Sequence, residues 1–215
     1  FIMPKKYQPT LLIILDGWGL SIPSKGNAIA KARTPNFNNL WEHYPKTTLQ
    51  ASGEAVGLPH GLMGNSEVGH INLGAGRVVK QDLTIINESI EDGTFFQNPV
   101  LLSAIQHARA NGSNLHLMGL LSDGGVHSDI HHLYALLKLI SESSYNKEVY
   151  IHGFTDGQDT AHKSAKKYLE DLEKKIKKYK TGRLASLAGR YYAMDRAHNW
   201  ERNKMVYDID RKSVV

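Results

Sequence analysis

The stretch Gly64-Asn65-Ser66-Glu67-Val68-Gly69-His70 sets one hydroxyl among small residues, with a carboxylate and an imidazole close behind. Asn65 suits the cap of a helix, and Glu67 suits its first turn. A helix opening there would present the Ser66 hydroxyl where backbone N–H groups and the positive dipole end favour phosphate. A serine so placed can accept a phosphoryl group and hold it; the plainer alternative is a cap with no chemistry.

Further reactive groups follow apolar runs. Leu11-Leu12-Ile13-Ile14-Leu15 reads as a buried parallel strand leading into Asp16-Gly17-Trp18-Gly19. Ligands of open α/β sheets sit beyond the carboxyl ends of strands, which aims Asp16 at a site. Three later runs, Leu115 to Leu121, Val149 to Phe154 and Leu184 to Ala188, also read as strands. They end in Asp123 with His127, Asp156 with Asp159, and Arg190 with Arg196. In a parallel sheet these groups should converge on one cleft, although each alone has an ordinary reading as a turn or surface residue.

Such a set has a defined chemistry. Two arginines can clamp a phosphate or carboxylate bidentately. Asp159 can take and return a substrate hydroxyl proton, and His127 can neutralise a phosphoryl oxygen. Asp16 and Ser66 offer hard oxygens suited to magnesium or manganese, but two donors do not complete a site. His131 and His132 are adjacent early in a helical segment, so their rings point apart and cannot chelate one ion.

The elements that must position these groups are legible in outline. Thr34-Pro35 should open a helix with Thr34 as cap and with Phe37, Leu40, Trp41 and Tyr44 packed inward. Residues 47–79 carry Gly53, Gly57, Gly61, Gly64, Gly69, Gly74 and Gly76, which implies tight turns or close approach to a ligand. From Asp82 onward helical and strand segments alternate, the grammar of β-α units and a mostly parallel sheet. Asn98-Pro99 should cap a helix running to about Ala110. Ile130, Leu133, Leu136, Leu137 and Ile140 mark one face of another. The tract Lys174-Lys175 and Lys177-Lys178 reads as the wet face of a third, with Leu169, Leu172, Ile176 and Tyr179 inward.

Composition narrows the function classes. A length of 215 residues allows one large domain or two small ones, and 41% hydrophobic residues is ordinary for a globular chain. The absence of cysteine excludes disulfides and thiolate metal sites and fits a reducing cytoplasm. The longest apolar run is far too short to span a bilayer, and Lys5 and Lys6 before it are followed by no cleavage site. Met3 reads as an initiator preceded by Phe1 and Ile2. The net charge of +5 suits small anionic substrates better than nucleic acid, since no stacking aromatics interleave with the lysines.

Taken together, the motifs resemble the N-terminal part of cofactor-independent phosphoglycerate mutase, of the alkaline phosphatase superfamily. They are Ile14 to Gly19, Gly64 to His70, Ser122-Asp123-Gly124-Gly125-Val126-His127-Ser128, Asp156-Gly157-Gln158-Asp159-Thr160 and Gly189 to Arg196. The likeness runs from about residue 8 to 207. It implies an α/β fold: residues 1–80 as the start of an alkaline-phosphatase-like, metal-binding domain, and residues 81–215 as an incomplete inserted phosphotransferase domain. It implies interconversion of 3-phosphoglycerate and 2-phosphoglycerate, in glycolysis and gluconeogenesis, through a phosphoserine intermediate and two manganese (or magnesium) ions.

By the same resemblance, Ser66 is nucleophile and metal ligand, Asp16 is a metal ligand, and Asp159 is the acid/base. His127, Gln158, Asp159, Arg190 and Arg196 hold substrate. A monomeric, cytoplasmic enzyme without nucleic-acid or membrane partners is implied. The chain departs from the family pattern at Gln158, where an arginine is usual, at Ala161-His162 in place of prolines, and at Ala197 and Asn199. Family members are also about double its length, and the later half carries most metal ligands. The expectation is therefore a truncated form, inactive alone. The alternatives are a phospho-acid-binding fragment without catalysis, or another phosphotransferase or hydrolase of the superfamily.

Overall fold

A computed structural model of the chain describes residues 9–213, so Met3, Lys5, Lys6 and residues 214–215 lie outside the described residues. The chain divides into two compact units. One holds the residues up to Gly57 together with Met63–Val79; the other holds Leu58–Leu62 and everything from Lys80 onward.

The first unit is built from short helices and turns. Asn27 caps α1 (Ala28–Lys31) by accepting from the Ala30 N–H at 3.0 Å. In α2 (Pro35–His43) proline takes the first position and Thr34 the cap position. The Thr34 hydroxyl, however, bonds the Asn38 side chain at 3.3 Å and leaves the helix N–H groups alone. Phe37 packs between Trp18 and Trp41, with ring centroids 5.1 and 5.6 Å away. Leu40 and Tyr44, expected inward, are exposed because this aromatic trio is narrower than the helix face. After a 3-10 turn (Gly53–Val56) comes α3 (Ser66–Ala75). The Asn65 side chain caps it by accepting from the Val68 N–H at 3.1 Å. Asn72 on α3 donates to the Val56 and Val68 carbonyls at 3.1 and 2.6 Å and accepts from the Val79 N–H at 2.6 Å. One amide thus ties the helix to the segments on either side of it. At Gly64 an added Cβ would fall 1.7 Å from the Ala51 carbonyl oxygen, so only glycine fits.

The run Leu11 to Leu15 forms no strand and is exposed, with Leu11 at 82% and Ile14 at 46%, which corrects the expectation of a buried parallel strand. The physical reason is the absence of a ladder. A doubly apolar strand is stable only between neighbours, and the described strands all lie in the second unit.

The second unit opens with α4 (Asp82–Asp92) and α5 (Pro99–Ala110), the latter capped by Asn98 through the Val100 N–H at 2.9 Å. Then follow β1 (Leu115–Leu121), α6 (Ile130–Glu142), β2 (Val149–Thr155), α7 (Ala165–Tyr179), β3 (Arg183–Gly189), α8 (Arg190–Ala193) and α9 (Trp200–Ser213). The three strands are parallel in the order β1-β2-β3. The fold is α/β, as the alternating grammar predicts. Leu121 and Ile151 from the sheet pack with Ile130, Tyr134 and Leu137 of α6 and with Tyr168 and Leu172 of α7. A second cluster joins Ile105 of α5 to Leu139, Ile140 and Val149. The lysines of α7 lie outside this core, as an amphipathic helix requires. Among the described residues no helix is long and apolar enough to cross a membrane.

Leu137, with no exposed surface, sits at the centre of the larger cluster. Leu137→Ala is expected to destabilise the second unit by about 3 kcal/mol, measured as a shift of the urea midpoint at unchanged m-value. A loss below about 1 kcal/mol would show that the sheet and helices pack differently.

Candidate active site

In the first unit Ser66 is the first residue of α3, and its hydroxyl donates to Asp16 Oδ2 at 2.5 Å. His70, one turn on, sets Nδ1 2.9 Å from the Ser66 carbonyl and 3.3 Å from its hydroxyl. The Asn65 cap fixes the helix start, so Ser66 Oγ sits at the end where unpaired N–H groups gather. Asp16 reaches it from the turn closed by Trp18 N–H on the Leu15 carbonyl, where Gly17 has φ +73°. Asp16 and Ser66 thus fit as two hard-oxygen donors for a divalent ion. Among the described residues no group of three or more His, Asp or Glu side chains could hold a metal.

In the second unit the chemistry lies along the carboxyl edge of the sheet. Leu121, Thr155 and Gly189 end the three strands in register. The next residue of each is Ser122, Asp156 and Arg190. Ser122 Oγ donates to Asp156 Oδ2 at 2.6 Å, and Arg190 Nη1 donates to Asp156 Oδ1 at 3.0 Å. The Gly157, Gln158 and Asp159 N–H groups also donate to Asp156 Oδ1, at 2.8, 3.0 and 3.1 Å. The Asp156 carboxylate has no exposed surface. Burial alone would push its pKa up; the bonds from Ser122, the loop N–H groups and Arg190 outweigh this and hold it well below the usual carboxylate range.

Arg190 Nη1 also donates to Asp159 Oδ2 at 2.5 Å, so one nitrogen serves two carboxylates. Burial would lower the guanidinium pKa, but the two carboxylates together raise it. His127 Nε2 lies 3.9 Å from Asp159 Oδ2 with a third of its side chain exposed. The loop carrying His127 is held close: Gly124 N–H donates to Ser122 Oγ at 3.1 Å, and a Cβ on Gly124 would come 3.1 Å from Asp159 Cβ.

The expected convergence is therefore partial. Asp156, Asp159, Arg190 and, more loosely, His127 come together. Asp123 does not join them; its carboxylate accepts from the Tyr168 hydroxyl and lies 3.7 Å from Lys167 Nζ, both on α7. Arg196 is exposed, with no hydrogen bond or ion pair to that set among the described residues. The chain past α8 is turned by Asp195, which accepts from the Ala197 and Asn199 N–H groups at 3.2 and 2.8 Å and pairs with Arg202 at 2.9 Å. Gln158 is exposed and enters the cluster through its backbone. His131 and His132 do point apart, to Asp129 and Asn87, each at 2.7 Å. The sequence alone assigns Ser122 no role and sets Asp156 beside Asp159 in the cleft without showing the bonds that bury it. The signal was their spacing: Ser122, Asp156 and Arg190 are 34 residues apart in turn, one β-α unit each.

The depressed Asp156 pKa has a sign. Its stabilisation is intact above the ordinary carboxylate value of 3.8 and is lost as the pH falls below that toward the folded value. Asp156→Asn is expected to cost about 3 kcal/mol near pH 7 and to flatten the fall in stability between pH 4 and 2. Urea midpoints across that range check it; parallel curves for the two proteins would contradict it.

Comparison with known proteins identifies the family. Residues 86–213 match the family BPG-independent PGAM N-terminus (iPGM_N). The chain is 55% identical over 206 residues to 2,3-bisphosphoglycerate-independent phosphoglycerate mutase 1 of Methanosarcina barkeri, covering 96% of this chain and 40% of that protein. It is 54% identical over 204 residues to the 2,3-bisphosphoglycerate-independent phosphoglycerate mutase of Staphylococcus epidermidis, covering 95% of this chain and again 40% of that one. Among solved structures, a Leishmania mexicana phosphoglycerate mutase crystallised at low cobalt concentration superposes with a TM-score of 0.71 at 32% identity. That match covers 90% of this chain and 37% of the other. The chain thus spans about two-fifths of the length of these relatives, at 40% of each curated one. With this match, the chain belongs to the BPG-independent phosphoglycerate mutase N-terminus family.

Proposed function

We propose that this chain supplies the phosphoryl-accepting serine and much of the substrate-holding surface of a 2,3-bisphosphoglycerate-independent phosphoglycerate mutase. The observation that carries the reading is the Ser66 hydroxyl at the head of α3, donating to Asp16 at 2.5 Å. Identity of 54% to a mutase over nearly the whole chain supports it. In this reading residues 1–80 belong to the metal-binding, alkaline-phosphatase-like domain and residues 81–215 to the phosphotransferase domain. The complete protein is a monomeric cytoplasmic isomerase of glycolysis and gluconeogenesis.

The residues take the following parts. Ser66 Oγ attacks the phosphorus of 3-phosphoglycerate and gives up its proton, while the bond to the C3 oxygen breaks and that oxygen takes up a proton. The glycerate reorients; its C2 hydroxyl gives up a proton, with Asp159 as the acid/base on the glycerate hydroxyls, and attacks the phosphoserine, while the freed Ser66 oxygen takes a proton back. The net change moves one phosphoryl group and consumes no proton. Arg190 holds the substrate anion, with His127 beside Asp159 to neutralise phosphoryl oxygens. The α3 N-terminus favours the phosphate while it rests on Ser66. Manganese or magnesium ions, when bound through Asp16, Ser66 and donors not among the described residues, would lower the serine pKa and offset phosphoryl charge.

The second reading is a phospho-acid-binding fragment without catalysis, favoured by the two-donor metal set and the uncharged, exposed Gln158. Manganese titration separates the two readings, because a working mutase must bind two ions.

In calorimetric titration this chain is expected to bind 3-phosphoglycerate, with Arg190→Ala weakening it roughly tenfold or more. Equal affinity in the variant, or no binding by the wild type, would contradict the assignment of Arg190. In an enolase-coupled assay the 215-residue chain alone is expected to show no turnover. Turnover at the rate of a full-length relative would contradict the need for further metal donors.

A further inference from the structure

We propose that Asp156 is the positioning residue of this cluster: it binds the ends of all three strands into one row and shares Arg190 with Asp159. The inference rests on the mutase reading, which makes Asp159 and Arg190 the groups that meet substrate.

Three observations carry it. First, the Asp156 carboxylate is wholly buried yet accepts five hydrogen bonds, from Ser122, Arg190 and the N–H groups of Gly157, Gln158 and Asp159. An anion buried without such partners would be expelled or neutralised, so the loop carrying Asp159 is folded around it. Second, its partners are the residues that follow β1 and β3, while Asp156 itself follows β2, so any slip of one strand breaks the row. Third, Arg190 Nη1 is shared, 3.0 Å from Asp156 and 2.5 Å from Asp159.

The sharing has a chemical consequence. Arg190 Nη1 is held between two carboxylates at the sheet edge, Asp156 on one side and Asp159 on the other. A guanidinium anchored in this way meets a substrate anion with little side-chain freedom left to lose.

The test is nitrogen-15 NMR of the Arg190 guanidinium in the whole chain, in the wild type and in Asp156→Asn, with and without 3-phosphoglycerate. Held by two carboxylates, the wild-type guanidinium is expected to rotate slowly about its Cζ–Nε bond, and Asp156→Asn is expected to lose that slow rotation. Slow rotation kept in the folded variant overturns the proposal. Should Asp156→Asn not fold, Ser122→Ala keeps the charge and removes one anchor of the row. Faster Arg190 rotation is expected there too, and an unmoved rate overturns the row. The ligand arm separates the two levels. If 3-phosphoglycerate shifts the wild-type Arg190 signal but Asp156→Asn leaves the rotation unmoved, the positioning role fails alone. If the ligand never perturbs Arg190, the mutase reading fails and the proposal with it.

Discussion

One buried carboxylate sets the terms for the second unit. Asp156 lies where three parallel strands end, cut off from water and surrounded by donors. Desolvating such a charge is among the larger penalties a fold can carry, and only a nearly complete set of hydrogen bonds offsets it. Here those bonds come from Ser122 and Arg190 and from the N–H groups of the Asp156 loop itself. The same contacts that make the anion tolerable also fix the distance between Arg190 and Asp159. Stability and site geometry are therefore one problem with one solution.

The rest of the unit serves that edge. Leu137, Ile151 and Leu172, all almost fully buried, clamp α6 and α7 to one sheet face and hold the strands in register. Register matters because the row has no slack: Leu121, Thr155 and Gly189 must end level for their successors to meet. Gly124 lets the following loop approach Asp159 closely enough to bring His127 to 3.9 Å. The first unit solves a smaller problem. Asn65 and Asn72 fix α3 at its start and along its flank, and Ser66 is left at the helix head within reach of Asp16.

Much of this was legible in the amino-acid order, for physical reasons that are local. The strands β1, β2 and β3 show as short apolar runs closed by polar loops, and the caps Asn65 and Asn98 act on N–H groups two or three residues away. What failed was distant. Leu11 to Leu15 has strand composition, but a strand is made by its neighbours, and none lies beside it among the described residues. Asp123 looked like a member of the cleft; a tyrosine 45 residues on takes it instead. Asp156 showed as one polar residue of the cleft, but nothing nearby in sequence announces that it is buried and paired with an arginine 34 residues later. Motif resemblance named the family, whereas the buried row emerged only from the register of the sheet.

The most direct measurement is a double-mutant cycle in urea denaturation at pH 7 with Asp156→Asn, Arg190→Met and the pair. If the buried carboxylate organises the site through Arg190, the two changes should be coupled by about 2 kcal/mol or more. Losses that simply add, with coupling below about 0.5 kcal/mol, would mean that the pair is incidental and that the edge of the sheet is held by something else.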